Sequence, residues 1–334
     1  MASRIKITAQ NGITINYDNK RIDLDPVRKS NGDYRFISHA HMDHMGGKNS
    51  NGGIIASKET VFLAARRGVN LKLVNNIPKD ITLVNSGHIL GSCGITLGDG
   101  KVFYTGDFAV KPRAFLGGCD PEECNVLIIE STFGKKDFIF PSISDIKEKV
   151  NQLISELFSR GIPVILMGYS LGKAQILSHL FSSWDPIYVE KSVEDMNKAY
   201  IDLGVDIRTD LIAYEIAKHD GLLQKKPWIL ISPMKSRYND FVSNLKKKYG
   251  AITVAFSGWG VDPRYKYKMK VDHAFALSDH SDFNELVDMV KRCNPNMIYT
   301  VHGFAKEFAA HLRSMGFDAN SLSSGQSSIS EYFF

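Results

Sequence analysis

The sequence has few cysteines and no long apolar run. Its 334 residues include four cysteines without CxxC spacing, at Cys93, Cys119, Cys124 and Cys293. That spacing indicates neither a disulfide framework nor a thiolate zinc site. No apolar run approaches the roughly 20 residues of a membrane helix, and the first residues lack the apolar core of a signal peptide. We therefore predict a cytoplasmic protein with no membrane partner.

Basic residues outnumber acidic residues only modestly, by 41 to 36. The formal charge of +5 suits an anionic partner such as nucleic acid, although many basic proteins bind none. Part of the excess lies between Lys235 and Lys270, including the run from Lys246 to Lys248. Such a stretch is usually a solvated face, and charge alone leaves both interpretations open.

Short β-like runs dominate the first third of the chain. They predict strands at residues 5–8, 13–17, 34–37, 71–74, 81–84, 94–97 and 102–104, with a short helix at 58–67. From residue 125 the pattern changes to apolar runs typical of strands buried on both faces, which alternate with helical spacing such as that of 142–160. Polar turns and histidines return near residue 274. This order, without repeats or an obvious linker, predicts one domain interrupted by a parallel α/β domain.

One stretch, Ser38 to His44, concentrates metal-binding groups. It holds three imidazoles and a carboxylate, from His39, His41, Asp43 and His44, directly after a predicted strand. Four such groups on a turn that leaves a strand can converge on an ion such as zinc, iron or manganese. His and Asp also occur on ordinary surface loops, but this density is hard to attribute to chance. We interpret the stretch as a metal site.

Three further candidate ligands follow predicted strands. His88 comes after the strand predicted at 81–84, and Asp107 follows the strand predicted at 102–104. His302 follows an apolar run near the C-terminus. Each is a weak signal alone, because a single histidine is more often a surface or core residue. Together the candidates supply five histidines and two aspartates. That number is enough for two divalent ions sharing a carboxylate, which would lie about 3.5–4 Å apart.

These motifs resemble a known family. The stretch from His39 to His44 resembles the HxHxDH signature of the metallo-β-lactamase fold, and His88 and Asp107 resemble its next two elements. Later motifs are similar to the β-CASP nuclease branch, which includes ligase-associated DNA exonucleases and RNA 3′-end processing factors. They are Ser170 to Gln175, Ile129 to Gly134 with Glu130, Leu277 to Asp282 with His280, and Val301 to Gly303 with His302.

The resemblance implies an α/β fold, a metallo-β-lactamase αββα sandwich interrupted by an inserted parallel α/β β-CASP domain. We expect the two parts of the sandwich at residues 1–135 and 267–320, the insert at 136–266 and a tail at 321–334. Dimers occur among such relatives, and nothing in the sequence demonstrates one, so a homodimer is left open.

The resemblance also implies a ligand set for two metal ions. The predicted ligands are His39, His41, His88 and Asp107 for one ion, and Asp43, His44, the shared Asp107 and His302 for the other. Asp25 matches the first acidic element of the family and is expected beside the ligands, with Asp23 as the weaker choice. The family's metal is usually zinc, which suits the histidine-rich set. Manganese also accepts carboxylate and imidazole ligands and stays open.

Two such ions would activate a water for attack on a phosphodiester, with Asp43 as both ligand and orienting group. The leaving oxygen needs a proton, for which His280 is the candidate acid and Glu130 its orienting partner. A turn or helix-cap role is the alternative for Glu130. We predict the catalytic residues Asp43, His280 and Glu130.

The last residues carry aromatics in a polar, serine-rich segment, which would be costly if exposed. One interpretation is that they pack on the protein's own surface. The other is a docking peptide, because the segment resembles the sliding-clamp-binding PIP box at Gln326, Ile329, Tyr332 and Phe333. The second interpretation predicts a sliding clamp as partner.

The leading prediction is a metal-dependent nuclease acting on DNA, on single-stranded ends or flaps, in replication or repair. RNA processing or decay by the same fold is the runner-up. A non-catalytic nucleic-acid- or clamp-binding protein is the alternative from another class, and the complete ligand set speaks against it. A small-molecule hydrolase is disfavoured by the insert and the His280 motif. Exonuclease and endonuclease action both stay open.

Overall fold

The computed structural model describes residues 4–9, 12–17, 20–46, 52–234, 240–322 and 330–333. The chain forms two compact units. The outer unit consists of Met1–Pro112, Leu116–Lys136 and His280–Phe334. The inserted unit consists of Arg113–Phe115 and Asp137–Asp279.

The outer unit contains two six-stranded sheets. The first has the order β18-β1-β2-β3-β4-β5, made of β1 (Arg4–Thr8), β2 (Ile13–Tyr17), β3 (Lys20–Leu24), β4 (Tyr34–Phe36), β5 (Gly53–Ile55) and β18 (Ser330–Phe333). The second has the order β17-β16-β9-β8-β7-β6, made of β6 (Ile81–Asn85), β7 (Cys93–Leu97), β8 (Val102–Tyr104), β9 (Val126–Glu130), β16 (Met297–Val301) and β17 (Ala319–Ser321).

The two sheets pack face to face around one apolar core, in which Ile5, Ile15 and Phe36 of the first sheet join Ile95 and Ile128 of the second. The opposite face of the second sheet is covered by α8 (Phe283–Cys293) and α9 (Ala305–Ser314). A further helix, α1 (Lys58–Arg66), follows β5. Strands alternate their side chains between two faces, and β8, β9 and β16 accordingly supply residues to both cores.

The inserted unit is built on a parallel sheet of order β12-β11-β13-β10-β14-β15. Its strands are β10 (Val164–Gly168), β11 (Ile187–Val189), β12 (Ile212–Ala213), β13 (Ile229–Pro233), β14 (Ile252–Phe256) and β15 (His273–Phe275). Its helices are α2 (Ile143–Ser159), α3 (Lys173–Leu180), α4 (Lys191–Asp202), α5 (Tyr214–His219), α6 (Asp240–Tyr249) and α7 (Tyr265–Met269), with 3₁₀ turns at Leu222–Gln224 and Gly258–Val261. All five residues of β10 are buried, as its apolar run predicts.

The predicted fold class is confirmed: a metallo-β-lactamase αββα sandwich is interrupted by a parallel α/β unit. The inserted unit extends to Asp279 rather than to residue 266, because β15 pairs with β14 and completes the sheet. The strand predicted at 71–74 is wrong. Leu73 makes only an isolated bridge to Ile54, because the chain bends at Asn75 and Asn76. Among the described residues, none of the helices is both long and apolar enough to cross a bilayer.

Candidate metal centre

Asp25 anchors the loop of residues 37–46, which carries the densest set of predicted ligands. It directly follows β3, and its N–H donates to the carbonyl of Phe36 at the end of β4, at 2.9 Å. Its carboxylate accepts the Ser38 N–H at 2.7 Å and the Ser38 hydroxyl at 2.6 Å. The backbone of Asp25 has a φ of 40°, in the left-handed region that few residues other than glycine adopt. The contacts therefore hold a strained backbone in place beside the loop.

The same carboxylate orients His44. Asp25 Oδ2 lies 3.0 Å from His44 Nδ1 and accepts the Tyr104 hydroxyl at 2.9 Å. The other ring nitrogen of His44, Nε2, lies 3.3 Å from Asp107 Oδ2. Burial opposes a charged His44, but the carboxylates of Asp107 and Asp25 outweigh it and raise the pKa of His44 well above its ordinary value. Asp25 thus lies in the supporting position, whereas Asp23 bonds to other groups of the sheet and its turn.

Six buried or partly buried side chains form overlapping clusters, within each of which one donor atom per residue lies within 4.8 Å of the others. The clusters are His39, His41 and His88; His39, His44 and Asp107; and His88, Asp107 and His280. Asp107 Oδ2 lies 3.8 Å from His39 Nε2 and also 3.8 Å from His88 Nε2. Imidazole nitrogens with a carboxylate oxygen are donors that zinc and manganese accept. The donor set therefore fits a divalent ion.

For His39 and Asp107, the electrostatic surroundings favour the protonation states that bind a metal. Burial lowers the pKa of His39 well below its ordinary value, and the neighbouring imidazoles of His44, His41 and His88 lower it further. Burial opposes ionisation of Asp107, but His44 and the other imidazoles hold the pKa of its carboxyl well below the usual range. A neutral imidazole and an ionised carboxylate are the forms that coordinate ions.

Asp43 and His302, the remaining predicted ligands, belong to none of these clusters within the described chain. Asp43 is exposed in the turn before His44, where its charge acts on the Arg67 guanidinium. His302 is also exposed, has a φ of 61°, and places its ring centroid 5.7 Å from that of His44. The structure thus gathers one dense cluster and leaves two of the second ion's predicted ligands more open. Their assignment as ligands remains a prediction.

Glu130 and His280 form a hydrogen-bonded pair beside the cluster. Glu130 ends β9 and is buried, and its Oε1 lies 2.8 Å from His280 Nδ1. The same carboxylate accepts the N–H of Phe108 at 3.2 Å and that of Thr132 at 3.0 Å. The His280 ring lies with its centroid 4.5 Å from that of His88. Glu130 therefore orients His280. Its bond to the Thr132 N–H is also a turn contact, the alternative role considered for this residue.

The residues after His280 fix its position. The Ser281 N–H donates to the Phe108 carbonyl at 2.9 Å, and its hydroxyl accepts the Val110 N–H at 3.1 Å. Asp282 caps α8, accepting the Glu285 N–H at 2.9 Å, while Glu285 accepts the Asp282 N–H at 3.0 Å. The two acidic ends of this capping box stabilise the start of the helix. The motif from Leu277 to Asp282 thus has a structural explanation: Ser281 and Asp282, the two residues after His280, fix the backbone that carries its ring.

Sequence reasoning missed two residues that support the site and one possible ligand. Ser38 and Tyr104 both bond to Asp25, and their only signal was adjacency to the motifs that hold His39 and Asp107. His280 lies in a ligand cluster as well as in the position predicted for an acid. The histidines that match no motif belong to none of the clusters formed by described residues; they are His179, His219, His273 and His311.

Residues 264–321 match the family "RMMBL: Zn-dependent metallo-hydrolase RNA specificity domain". The chain is 31% identical over 299 residues to a "Probable DNA ligase" of Opitutus terrae, an alignment that covers 85% of this chain and 28% of that protein. It is 33% identical over 265 residues to an "RNase J-like protein" of Methanocaldococcus jannaschii, covering 66% of this chain and 62% of that protein. These similarities support the resemblance of the chain to the metallo-β-lactamase/β-CASP nuclease family.

A further relative is a "Transcription termination factor FttA" of Methanocaldococcus jannaschii, 33% identical over 103 residues, which cover 29% of this chain and 16% of that protein. The chain spans less than two thirds of the length of each of these relatives. The match to the Zn-dependent metallo-hydrolase model and the donor cluster around Asp107 both support the binding of a divalent metal ion.

Proposed function

We propose that the chain is a metal-dependent nuclease that hydrolyses phosphodiester bonds of DNA at single-stranded ends or flaps, through a water activated by two metal ions. The observation that carries the proposal is the convergence of four buried or partly buried imidazoles on one carboxylate, Asp107, beside the pair Glu130–His280. A hydrolytic centre needs both parts, a charge-neutralising site for the phosphate and a group that protonates the leaving oxygen.

The chain's own residues would hold two ions. The proposed ligands are His39, His41, His88 and Asp107 for the first, and Asp43, His44, Asp107 and His302 for the second. When bound, such ions supply hydroxide at neutral pH and neutralise phosphate charge. Asp25, Ser38 and Tyr104 keep His44 in a fixed orientation, which reduces the reorganisation needed when an ion binds.

His280 is the proposed acid for the leaving oxygen. Its Nδ1 faces Glu130 Oε1 at 2.8 Å, so Nε2 is the atom that would deliver the proton. The buried carboxylate of Glu130 holds the ring through Nδ1 and keeps it from rotating. His280 also belongs to the cluster with His88 and Asp107, which supports its role beside the phosphate.

DNA is favoured by the relative that covers 85% of this chain, which is named a DNA ligase. RNA is the second candidate, supported by the match to an RNA specificity domain and by the RNase J-like relative. Both substrates have the same phosphodiester, so the metal centre does not discriminate between them. The choice depends on the contacts made to the sugar.

The first prediction separates these substrates and tests Asp43. Labelled single-stranded DNA and RNA of equal sequence are incubated with zinc or manganese and either wild type or Asp43→Ala. We expect DNA cleavage by wild type and a loss of about 100-fold in the variant, because an exposed ligand of the second ion is removed. Cleavage of RNA alone would reject the DNA assignment, full activity of the variant would reject the role of Asp43, and binding without any cleavage would favour the non-catalytic alternative.

A link to replication or repair through a sliding clamp is the finer part of the proposal. Gln326 and Ile329 lie outside the described residues, and Tyr332 and Phe333 lie in β18, whose backbone pairs with β1. The pairing Ile5↔Tyr332 and Arg4↔Phe333 places this part of the tail on the protein itself. Docking to a clamp therefore requires the tail to leave the sheet.

The second prediction concerns this tail. A peptide of residues 324–334, titrated against a sliding clamp and followed by calorimetry, should bind in the micromolar range, because its aliphatic and aromatic positions would fill one apolar pocket. The control peptide carries Tyr332→Ala and Phe333→Ala. Absence of binding at high micromolar concentration, or equal binding of the control, would leave β18 as a structural strand only.

A further inference from the structure

The inserted unit contains a cavity of about 520 Å³ at the carboxyl edge of its parallel sheet. Three lining residues follow neighbouring strands: Tyr169 follows β10, Met234 follows β13, and Trp259 follows β14 after two residues. The rest of the lining comes from the turn and helix around α7, namely Asp262, Arg264, Tyr265, Lys268 and Met269. The volume is in the range of ligand sites.

The cavity lies where the direction of the chain connections changes. From β10 the chain continues toward β11 on one side of the sheet, whereas from its neighbour β14 it continues to β15 on the other side. Connections that diverge in this way leave a crevice at the carboxyl ends of the two strands, which is where open parallel sheets bind ligands. Tyr169 and Trp259 stand on either side of that crevice.

Aromatic faces are presented there at a fixed position. Trp259 is 38% exposed and Tyr169 is 57% exposed, which is unusual for such large apolar groups. The Trp259 ring packs edge-on against Phe138 at a centroid distance of 5.3 Å. The backbone N–H of Trp259 donates to the Ser257 hydroxyl at 3.3 Å. A rigid, half-exposed ring is suited to stacking on another planar group.

Cations lie beside these rings. Lys268 is exposed and lines the cavity, and Arg264 is oriented by Asp262, whose oxygens lie 3.0 Å from Nε and 2.9 Å from Nη2. The nearby acid Asp272 is engaged by Lys246 at 2.7 Å. Two residues of the basic stretch, Arg264 and Lys268, thus line the aromatic pocket together with one acid, Asp262, and leave it with a net positive charge.

We propose that this pocket binds a single-stranded nucleic acid, with a base stacked on Trp259 and Tyr169 and the adjoining phosphate held by Arg264 and Lys268. Every base has a π-face and every nucleotide a phosphate, so the combination recognises a strand without requiring a sequence. The assignment of the ligand rests on the proposed nuclease function.

Binding is measured without cleavage, by fluorescence anisotropy of labelled oligo(dT) and oligo(rU) of about ten nucleotides, with the full chain in excess chelator. Trp259→Ala should weaken binding about tenfold or more with an unchanged salt dependence. Lys268→Ala should weaken binding and reduce the slope of log K against log salt by about 1. The matched controls lie on α7, the helix of Lys268, and do not line the pocket. They are Tyr267→Ala, 72% exposed, and Lys266→Ala, whose ammonium lies over the Tyr267 ring.

The outcomes separate the pocket from the metal centre. Equal binding by wild type and the two pocket variants, or equal weakening by the controls, would overturn the pocket even if the enzyme cleaves. Weakened binding in a chain that cleaves neither polymer would support the pocket and reject the nuclease. Where cleavage is seen, the pocket variants should raise KM with little change in kcat.

Discussion

Asp107→Asn should reduce nucleic-acid cleavage on the order of 10³-fold. Asp107 Oδ2 lies within 3.8 Å of His39, His44 and His88, and the residue belongs to two of the donor clusters. Loss of a hydrogen-bond partner of a metal ligand typically costs about 10- to 100-fold. Neutralising a carboxylate that we propose is itself a ligand, shared by two ions, should therefore cost more. Asparagine keeps the volume and removes the charge, which separates coordination from packing. Turnover of a labelled strand and the metal content of the purified protein are the measurements.

Asp99→Asn is the matched control for this variant. Asp99 is exposed at a hairpin tip with a φ of 55°, a conformation that asparagine also tolerates. We expect wild-type activity and metal content from it. Retention of more than about a tenth of the activity by Asp107→Asn, with normal metal content, would contradict the central place given to this carboxylate.

Lys173→Met should lower the free energy of unfolding by about 3–5 kcal/mol. Lys173 Nζ donates to Asp279 Oδ1 at 2.8 Å, and both side chains are almost completely buried in the inserted unit. Removal of the ammonium leaves the carboxylate of Asp279 in a dry environment without the charge that faces it. Urea unfolding followed by circular dichroism measures the change.

The double variant Lys173→Met/Asp279→Leu should recover most of that loss. Burial lowers the pKa of Lys173 to about 8 although Asp279 opposes the shift, so desolvation outweighs the attraction within the pair. Replacing both charges by apolar groups of similar size then removes a cost as well as an interaction. Lys198→Met, which breaks an exposed ion pair with Glu194, should change the stability by no more than about 0.5 kcal/mol. A loss below about 1 kcal/mol in the single variant would show that the pair is not structurally important.

The ligand-bearing loop was predictable because its residues are local. His39, His41 and His44 lie within six positions, directly after a strand that the apolar pattern also indicates. His88 and Asp107 were found by the same rule, since strand ends of one sheet meet at one edge. The periodicity of the insert likewise predicted its parallel sheet, because continuous apolar runs imply burial on both faces.

Features that depend on distant contacts were not predictable. Tyr104 supports His44 through Asp25, and this contact forms only because the two sheets face each other. Neither the Tyr104 nor the His44 side chain indicates that packing in the sequence. The insert's boundary depends on β15, whose three residues are too few to show a period. The pairing of the tail with β1 joins opposite ends of the chain, so no local pattern reports it.

β18 is an edge strand of the first sheet and, among the strands described, pairs with β1 alone, so its release would leave the other strands of that sheet paired. If Tyr332 and Phe333 engage an external partner, the hydrogen bonds to β1 are broken and an edge becomes open to water or to another strand. The tail cannot pair with β1 and engage the partner at once. The intact protein would therefore bind such a partner more weakly than the isolated peptide does, because its apparent affinity is reduced by the fraction of molecules in which the strand is released. The edge of the sheet would then compete with such a partner for the tail, and the binding of the protein would depend on how often β18 is released.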